Sequence, residues 1–192
     1  TVISQGISGL LCLVFLIKKF PILHIQKEEW KWDGFSVKRL FSMGLPMGLQ
    51  YSITAIGSTV LQTAVNSLGS DIVASITAAN KVQMLVTQPM ETLGVTMATY
   101  CGQNLGARRF DRIRQGVWHG SLLGIFFSIV ALIIVICFGS YISLLFVEST
   151  ETQLITNIQQ FLLYNGFCYI LLTLLLVFRN TLQGMGHAAL AM

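Results

Sequence analysis

Charge is scarce in this sequence. Asp, Glu, Lys and Arg together make up 10% of its 192 residues, against about a quarter in an ordinary soluble domain. Such a chain has too little polar surface to face water on every side, which excludes a soluble globular domain of the size its length would allow. The four cysteines (Cys12, Cys101, Cys137 and Cys168) form no CxxC pair and have no histidine at ligand spacing. That removes a zinc site and a disulfide framework, and each thiol reads as a small buried hydrophobe. His24, His119 and His187 fall in or near basic loops and read as solvated or interfacial. The sequence holds no nucleophile–base constellation, no glycine-rich phosphate loop ahead of a lysine and no pair of carboxylates on one face. It therefore points away from an enzyme, from a cofactor and from a nucleic-acid partner.

What it does have is apolar length. Hydrophobic residues account for 54% of the chain, and residues 40–70, 115–147 and 152–178 contain no charged side chain. Each run exceeds the ~20 residues a helix needs to cross about 30 Å of hydrocarbon. Residues 1–17 are also uncharged and read as the end of a spanning helix whose start is missing, so the chain is expected to be a fragment. The runs are continuous rather than alternating, which predicts an all-α transmembrane bundle and not a barrel.

The basic residues orient that bundle. Six of the twelve Lys and Arg lie between Lys18 and Arg39, and four lie between Arg108 and Arg114. The turn at 69–71 and the stretch 139–153 carry no basic residue. Because Lys- and Arg-rich loops stay on the cytoplasmic side, loops 18–36 and 106–114 are expected there, in a multi-pass protein of the cell membrane. Five membrane segments follow: the end of one at 1–17, then approximately 37–67, 71–105, 113–146 and 152–180, with a stub of a sixth at 187–192. The stretch 18–36 is of mixed charge and carries Trp30 and Trp32, whose rings favour the membrane–water interface. It reads as a linker between lobes.

Gly44-xxx-Gly48, Gly102-xxx-Gly106, Gly116-xxx-Gly120 and Gly120-xxx-Gly124 place small residues one turn apart, a signature of close helix packing in membranes. Pro46 and Pro89 each remove a backbone hydrogen bond inside a long helix and predict kinks. Gln50, Thr54, Ser58 and Gln62, with Asn66 beyond, form a polar stripe facing either another helix or a water-filled cavity. Asn80, Lys81, Gln83, Gln88 and Glu91 crowd a few turns of the next segment. Charges at such depth cost about 2.5–3.5 kcal/mol each on insertion scales and usually face the protein interior. Gln50, Thr54, Asn80, Lys81, Gln88 and Glu91 are thus the candidate cavity-lining residues. For Lys81 and Glu91 the alternative is a structural ion pair with a helix outside the chain.

The stretch ATYCGQNLGARRFDRIRQG (98–116), with GLPMGLQYSITAIG (44–57) and RNTLQGMG (179–186), resembles the multidrug and toxic compound extrusion (MATE) family of efflux transporters over nearly the whole chain. The resemblance implies the end of the sixth helix (1–17), an interlobe linker (18–36) and a partial C-terminal lobe (37–192) with helices seven to ten and the start of eleven. The twelve-helix, two-lobe protein would antiport organic, often cationic compounds against H⁺ or Na⁺ by alternating access, with an N-terminal lobe missing here. One departure stands out. The positions at which some members of the family carry coupling carboxylates in the seventh and tenth helices correspond to Thr54 and Leu172, and no acidic residue occurs in 40–70 or 152–178. Coupling then resides in the other lobe or involves Lys81 and Glu91. A lipid-linked oligosaccharide flippase of related fold, which would carry more cations in its cavity, and a bundle whose polar residues only join helices remain as rival readings.

Overall fold

The computed structural model of the chain describes residues 2–20, 31–144 and 152–191. Six helices account for nearly all of them: α1 (Val2–Lys19), α2 (Gly34–Asn66), α3 (Ser70–Gly106), α4 (Phe110–Ser143), α5 (Thr152–Phe167) and α6 (Tyr169–Gly184), followed by a short 3₁₀ turn at Ala188–Ala191. No strand occurs among the described residues. The expected all-α class holds, and the helix ends fall within a few residues of those read from charge and hydropathy. Trp30, His24 and the acidic pair Glu148 and Glu151 lie outside the described residues, as does most of the linker.

The chain divides into two compact units, Thr1–Arg39 and Leu40–Met192. In the first, α1 buries none of its residues and leaves Ile3, Ile7, Leu10, Leu11 and Phe15 exposed. Asp33 caps the start of α2. Its carboxylate accepts the N–H groups of Phe35 and Ser36, each at 3.1 Å, and the Ser36 hydroxyl. An acidic N-cap satisfies amides that have no partner within the helix. The same bonds, that from the Ser36 side chain foremost, hold the Asp33 carboxyl below its ordinary pKa of 3.8.

In the second unit α3 packs on α4, α5 and α6, and α4 packs on α5 and α6. The core joins Ala79, Val82 and Met90 of α3 to Val135 of α4, Ile158 and Leu162 of α5, and Tyr169 of α6. A second cluster joins Met97 and Cys101 to Ile113 and Val177. Helix directions follow from which glycines meet which neighbours. A Cβ on Gly120 would lie 2.7 Å from Met97 Sδ, one on Gly116 would press on the Tyr100 ring, and one on Gly124 would lie 3.2 Å from Leu93. Residue numbers therefore run oppositely along α3 and α4. Gly94 and Gly102 meet Leu176 and Gly184 in the same order, so α3 and α6 run parallel. That is the alternation the charge pattern requires. The row Gly116–Gly120–Gly124 is the contact face of α4, so its glycines serve packing. Gly44 and Gly48 have nothing within 4 Å of a built Cβ.

By length and composition α1 and α4 can each cross a membrane, and α5 with α6 can do so as one broken span. At 33 and 37 residues, α2 and α3 are also long enough, but their polar stripes lower their hydropathy. The membrane segment expected at 152–180 is not one straight helix: it bends by 51° between α5 and α6 at Cys168. No proline causes this. The N–H of Cys168 turns back to the Asn165 carbonyl (2.9 Å), a three-residue step, and the Asn165 amide donates to the Phe161 carbonyl (2.8 Å). Side chains that compete for backbone carbonyls bend helices. By contrast, α2 and α3 continue as helix through Pro46 and Pro89.

Both α3 and α6 end in the same way. The N–H of Arg108 reaches the Leu105 carbonyl (3.0 Å) and that of Arg109 the Asn104 carbonyl (2.8 Å). The N–H of Gly186 reaches Gln183 (3.0 Å) and that of His187 reaches Leu182 (2.9 Å). This is the Schellman arrangement, in which one residue adopts a left-handed conformation. Gly186 does so at φ 88°, and Arg108 does so at φ 56° without the benefit of being glycine.

Candidate functional site

Lys81, Gln88 and Glu91 fall within an arc of about 80° on α3 at 100° per residue. The packed residues Ala79, Val82, Met90, Met97 and Cys101 occupy the opposite side. Lys81, Gln88 and Glu91 are accordingly exposed, as is Asn80 at the edge of the arc. The face also carries Met84, Leu85, Thr92 and Val95, so it is amphipathic rather than uniformly polar. Lys81 and Glu91 are ten residues apart, about 15 Å along the axis, too far to pair with each other. Among the described residues no ion-pair partner approaches either of them.

On α2, Thr54 is exposed and its hydroxyl donates to the Gln50 carbonyl at 3.0 Å. Ser52, Thr59 and Thr63 likewise bond to backbone carbonyls of their own helix, and the Gln62 amide donates to Asn66 (2.9 Å). Within the stripe Thr54, Gln62 and Asn66 bond inside α2, while Gln50 reaches another helix. The Gln183 amide donates to the Gln50 side-chain oxygen at 3.1 Å. Gln50 and Gln183 thus bridge α2 and α6.

Around Gln183 several polar groups that the sequence reading had not singled out come together where α6 crosses α3. The Asn180 amide donates to the Leu176 carbonyl (2.8 Å) and lies so close to Gly94 that a Cβ there would sit 2.7 Å from it. Thr181 lies 3.8 Å from the Cys101 sulfur. Farther along α6, the buried Ser128 hydroxyl meets Thr173 (2.8 Å), the Tyr169 carbonyl (3.2 Å) and its own Gly124 carbonyl (2.8 Å). These groups join helices. Their signal in the sequence was polar residues interrupting an apolar run, and the RNTLQGMG stretch held three of them. No group of three or more His, Cys, Asp or Glu side chains comes together among the described residues.

The arrangement therefore has two parts: an inner set of hydroxyls and amides satisfied between helices, and an outer face on α3 with one cation and one anion. The family model described as MatE matches residues 46–192. The chain belongs to the MatE family. Relatives include two proteins of Bacillus subtilis described as probable multidrug resistance proteins. One, YoeA, is 28% identical over 160 residues, covering 82% of this chain and 35% of its own length. The other, YpnP, is 25% identical over 169 residues, covering 88% and 37%. The probable multidrug resistance protein NorM of Haemophilus ducreyi is 25% identical over 162 residues, covering 82% and 34%. The chain thus spans about a third of the length of these relatives. As a MatE chain with membrane-length apolar helices, it is part of a multi-pass membrane protein. The match also covers all six candidate residues, from Gln50 to Glu91.

Proposed function

We propose that this MatE chain is part of a transporter that exports small organic compounds, often cationic, by antiport against H⁺ or Na⁺ with alternating access. Loops 18–36 and 106–114 face the cytoplasm, and a further lobe of the same polypeptide faces the α3 surface described above. The observation that carries this reading is the exposed α3 face. Lys81, Gln88 and Glu91 lie opposite the packed side and have no ion-pair partner among the described residues, whereas buried Ser128 and Thr173 find partners within the bundle. Polar groups that only joined helices would resemble the second set. A charged face turned away from its own bundle suits a solvated pathway between two halves of a transporter. A flippase for a pyrophosphate-linked sugar would need more cations than Lys81 alone on this face.

The test is efflux of a fluorescent organic cation from vesicles bearing the full-length protein, with the Na⁺ and H⁺ gradients varied separately. One of the two gradients is expected to drive efflux. Lys81→Ala and Glu91→Ala are each expected to lower it by about fivefold or more at equal protein level, the lower end of usual coupling free energies. Unchanged efflux in both variants would assign these residues to structure, and efflux driven by neither gradient would refute antiport.

A further inference from the structure

Near its arginine-bearing end, α4 presents Asp111, Arg114, Gln115, Trp118, Ser121, Leu122 and Ile125 on one face, and Leu174 and Phe178 of α6 complete a groove of about 1010 Å³. Its chemistry is graded along the helix. The charged and amide groups lie in the first two turns, and beyond Trp118 the walls are Leu122, Ile125, Leu174 and Phe178, with His119 and Ser121 as the polar residues among them. From Arg114 to Ile125 the groove runs about 16 Å, close to half the thickness of a bilayer's hydrocarbon core. Trp118 is 65% exposed at the change from polar to apolar, where indole rings settle in membranes.

We propose that this groove holds an anionic phospholipid, with its phosphate at Arg114 and an acyl chain along Leu122, Ile125, Leu174 and Phe178. The segment from Arg108 to Arg114 has four arginines and one aspartate, so its field favours an anion and disfavours an organic cation. Asp111 lines the outer lip, and it lies in the first turn of α4, where the helix dipole offsets a carboxylate. The phosphate sits one turn further in. The inference depends on α4 being in a membrane and not on what the protein transports.

The experiment is quenching of Trp118 by phospholipids with brominated acyl chains, in the full-length protein, with Trp118→Phe subtracted to isolate that indole. Phosphatidylglycerol is expected to quench at about fivefold lower mole fraction than phosphatidylcholine, corresponding to the ~1 kcal/mol one basic residue contributes near an anionic surface. Arg114→Gln is expected to abolish this preference while leaving quenching by phosphatidylcholine unchanged, which also reports that the variant is folded. Equal quenching by both lipids in the wild type would reduce the groove to ordinary lipid contact and overturn the proposal. Absence of quenching, as when another segment of the longer polypeptide fills the groove, would overturn it too, as would an Arg114→Gln variant that keeps the preference.

Discussion

Replacing Gly184 by alanine tests the closest approach in the fold. A Cβ at this position would run into the Ala98 carbonyl oxygen and lie 2.7 Å from both the carbonyl carbon and Cα of Ala98. All three atoms are backbone, so no rotamer change relieves them, and α3 and α6 must separate by more than about 0.7 Å, the carbonyl oxygen being nearer than the two carbons, to restore ordinary contact at 3.4 Å. Overpacking of this kind costs about 1–3 kcal/mol. Alanine returns up to ~1 kcal/mol inside a helix, but Gly184 is the last residue of α6 and gains little. A net loss of about 2 kcal/mol is expected, which at roughly 2 °C per kcal/mol lowers the melting temperature by about 4 °C. Two other glycines calibrate the effect. A Cβ on Gly102 would stand 3.0 Å from the Gly184 carbonyl oxygen, and one on Gly120 would meet the flexible Met97 thioether. Thermal melts of the detergent-solubilised full-length protein should therefore rank the losses as Gly184→Ala, then Gly102→Ala, then Gly120→Ala. If Gly184→Ala melts with the wild type, or Gly120→Ala falls as far, backbone contact between α3 and α6 is not what these glycines provide.

Other consequences are open to measurement. Ser128→Ala strands the fully buried Thr173 hydroxyl and should cost about 1 kcal/mol. Thr173→Val should cost about the same, and the double variant less than the two together, whereas additive losses would deny the link. Arg108→Gly removes a left-handed penalty of roughly 1–2 kcal/mol at the cost of ~0.5–1 kcal/mol in chain entropy, so a small gain in melting temperature is expected, and a clear loss would mean the Arg108 side chain has a role. The start of α2 should depend on pH. The Asp33 carboxyl titrates below 3.8 in the folded chain, so its capping contribution is complete above that value and disappears as pH falls through the folded pKa. Amide exchange at Phe35 and Ser36 should accelerate at such acidity relative to neighbouring amides, and Asp33→Asn should remove the dependence.

Helix positions were legible because their cause is local. A charge-free run must be long enough to cross the bilayer, and Arg and Lys mark where it stops, so the ends of α2, α3 and α4 follow from composition along the chain. The α3 face was legible for a related reason. Lys81, Gln88 and Glu91 recur near the helical period, and the buried residues on the other side show why a helix sorts them that way. The bend at Cys168 was not legible because prolines were the breakers sought. Asn165 lies inside a charge-free stretch, and only its bond to Phe161 together with the short step at Cys168 shows that the helix ends there. Gln183 escaped for a different reason: its partner is Gln50, 133 residues away, and no periodicity within one helix reports a contact between two.

Two of the three stretches that carried the family resemblance are built for one shared purpose. Both 98–116 and 179–186 contain the end of a helix, and both close it with the same pair of hydrogen bonds, five residues back and three residues back. Both also supply a glycine to the crossing of α3 and α6, Gly102 in one and Gly184 in the other. Parallel helices that approach this closely need small residues at the crossing, and each of these ends with a left-handed residue after it, which constrains sequence tightly at few positions. The α3 face meets looser demands, since an exposed position accepts many polar side chains. Residues that identify the family and residues that handle a substrate are therefore expected at different places. In this chain Gly102 and Gly184 lie between α3 and α6, while Lys81 and Glu91, proposed above to face the pathway, point the other way.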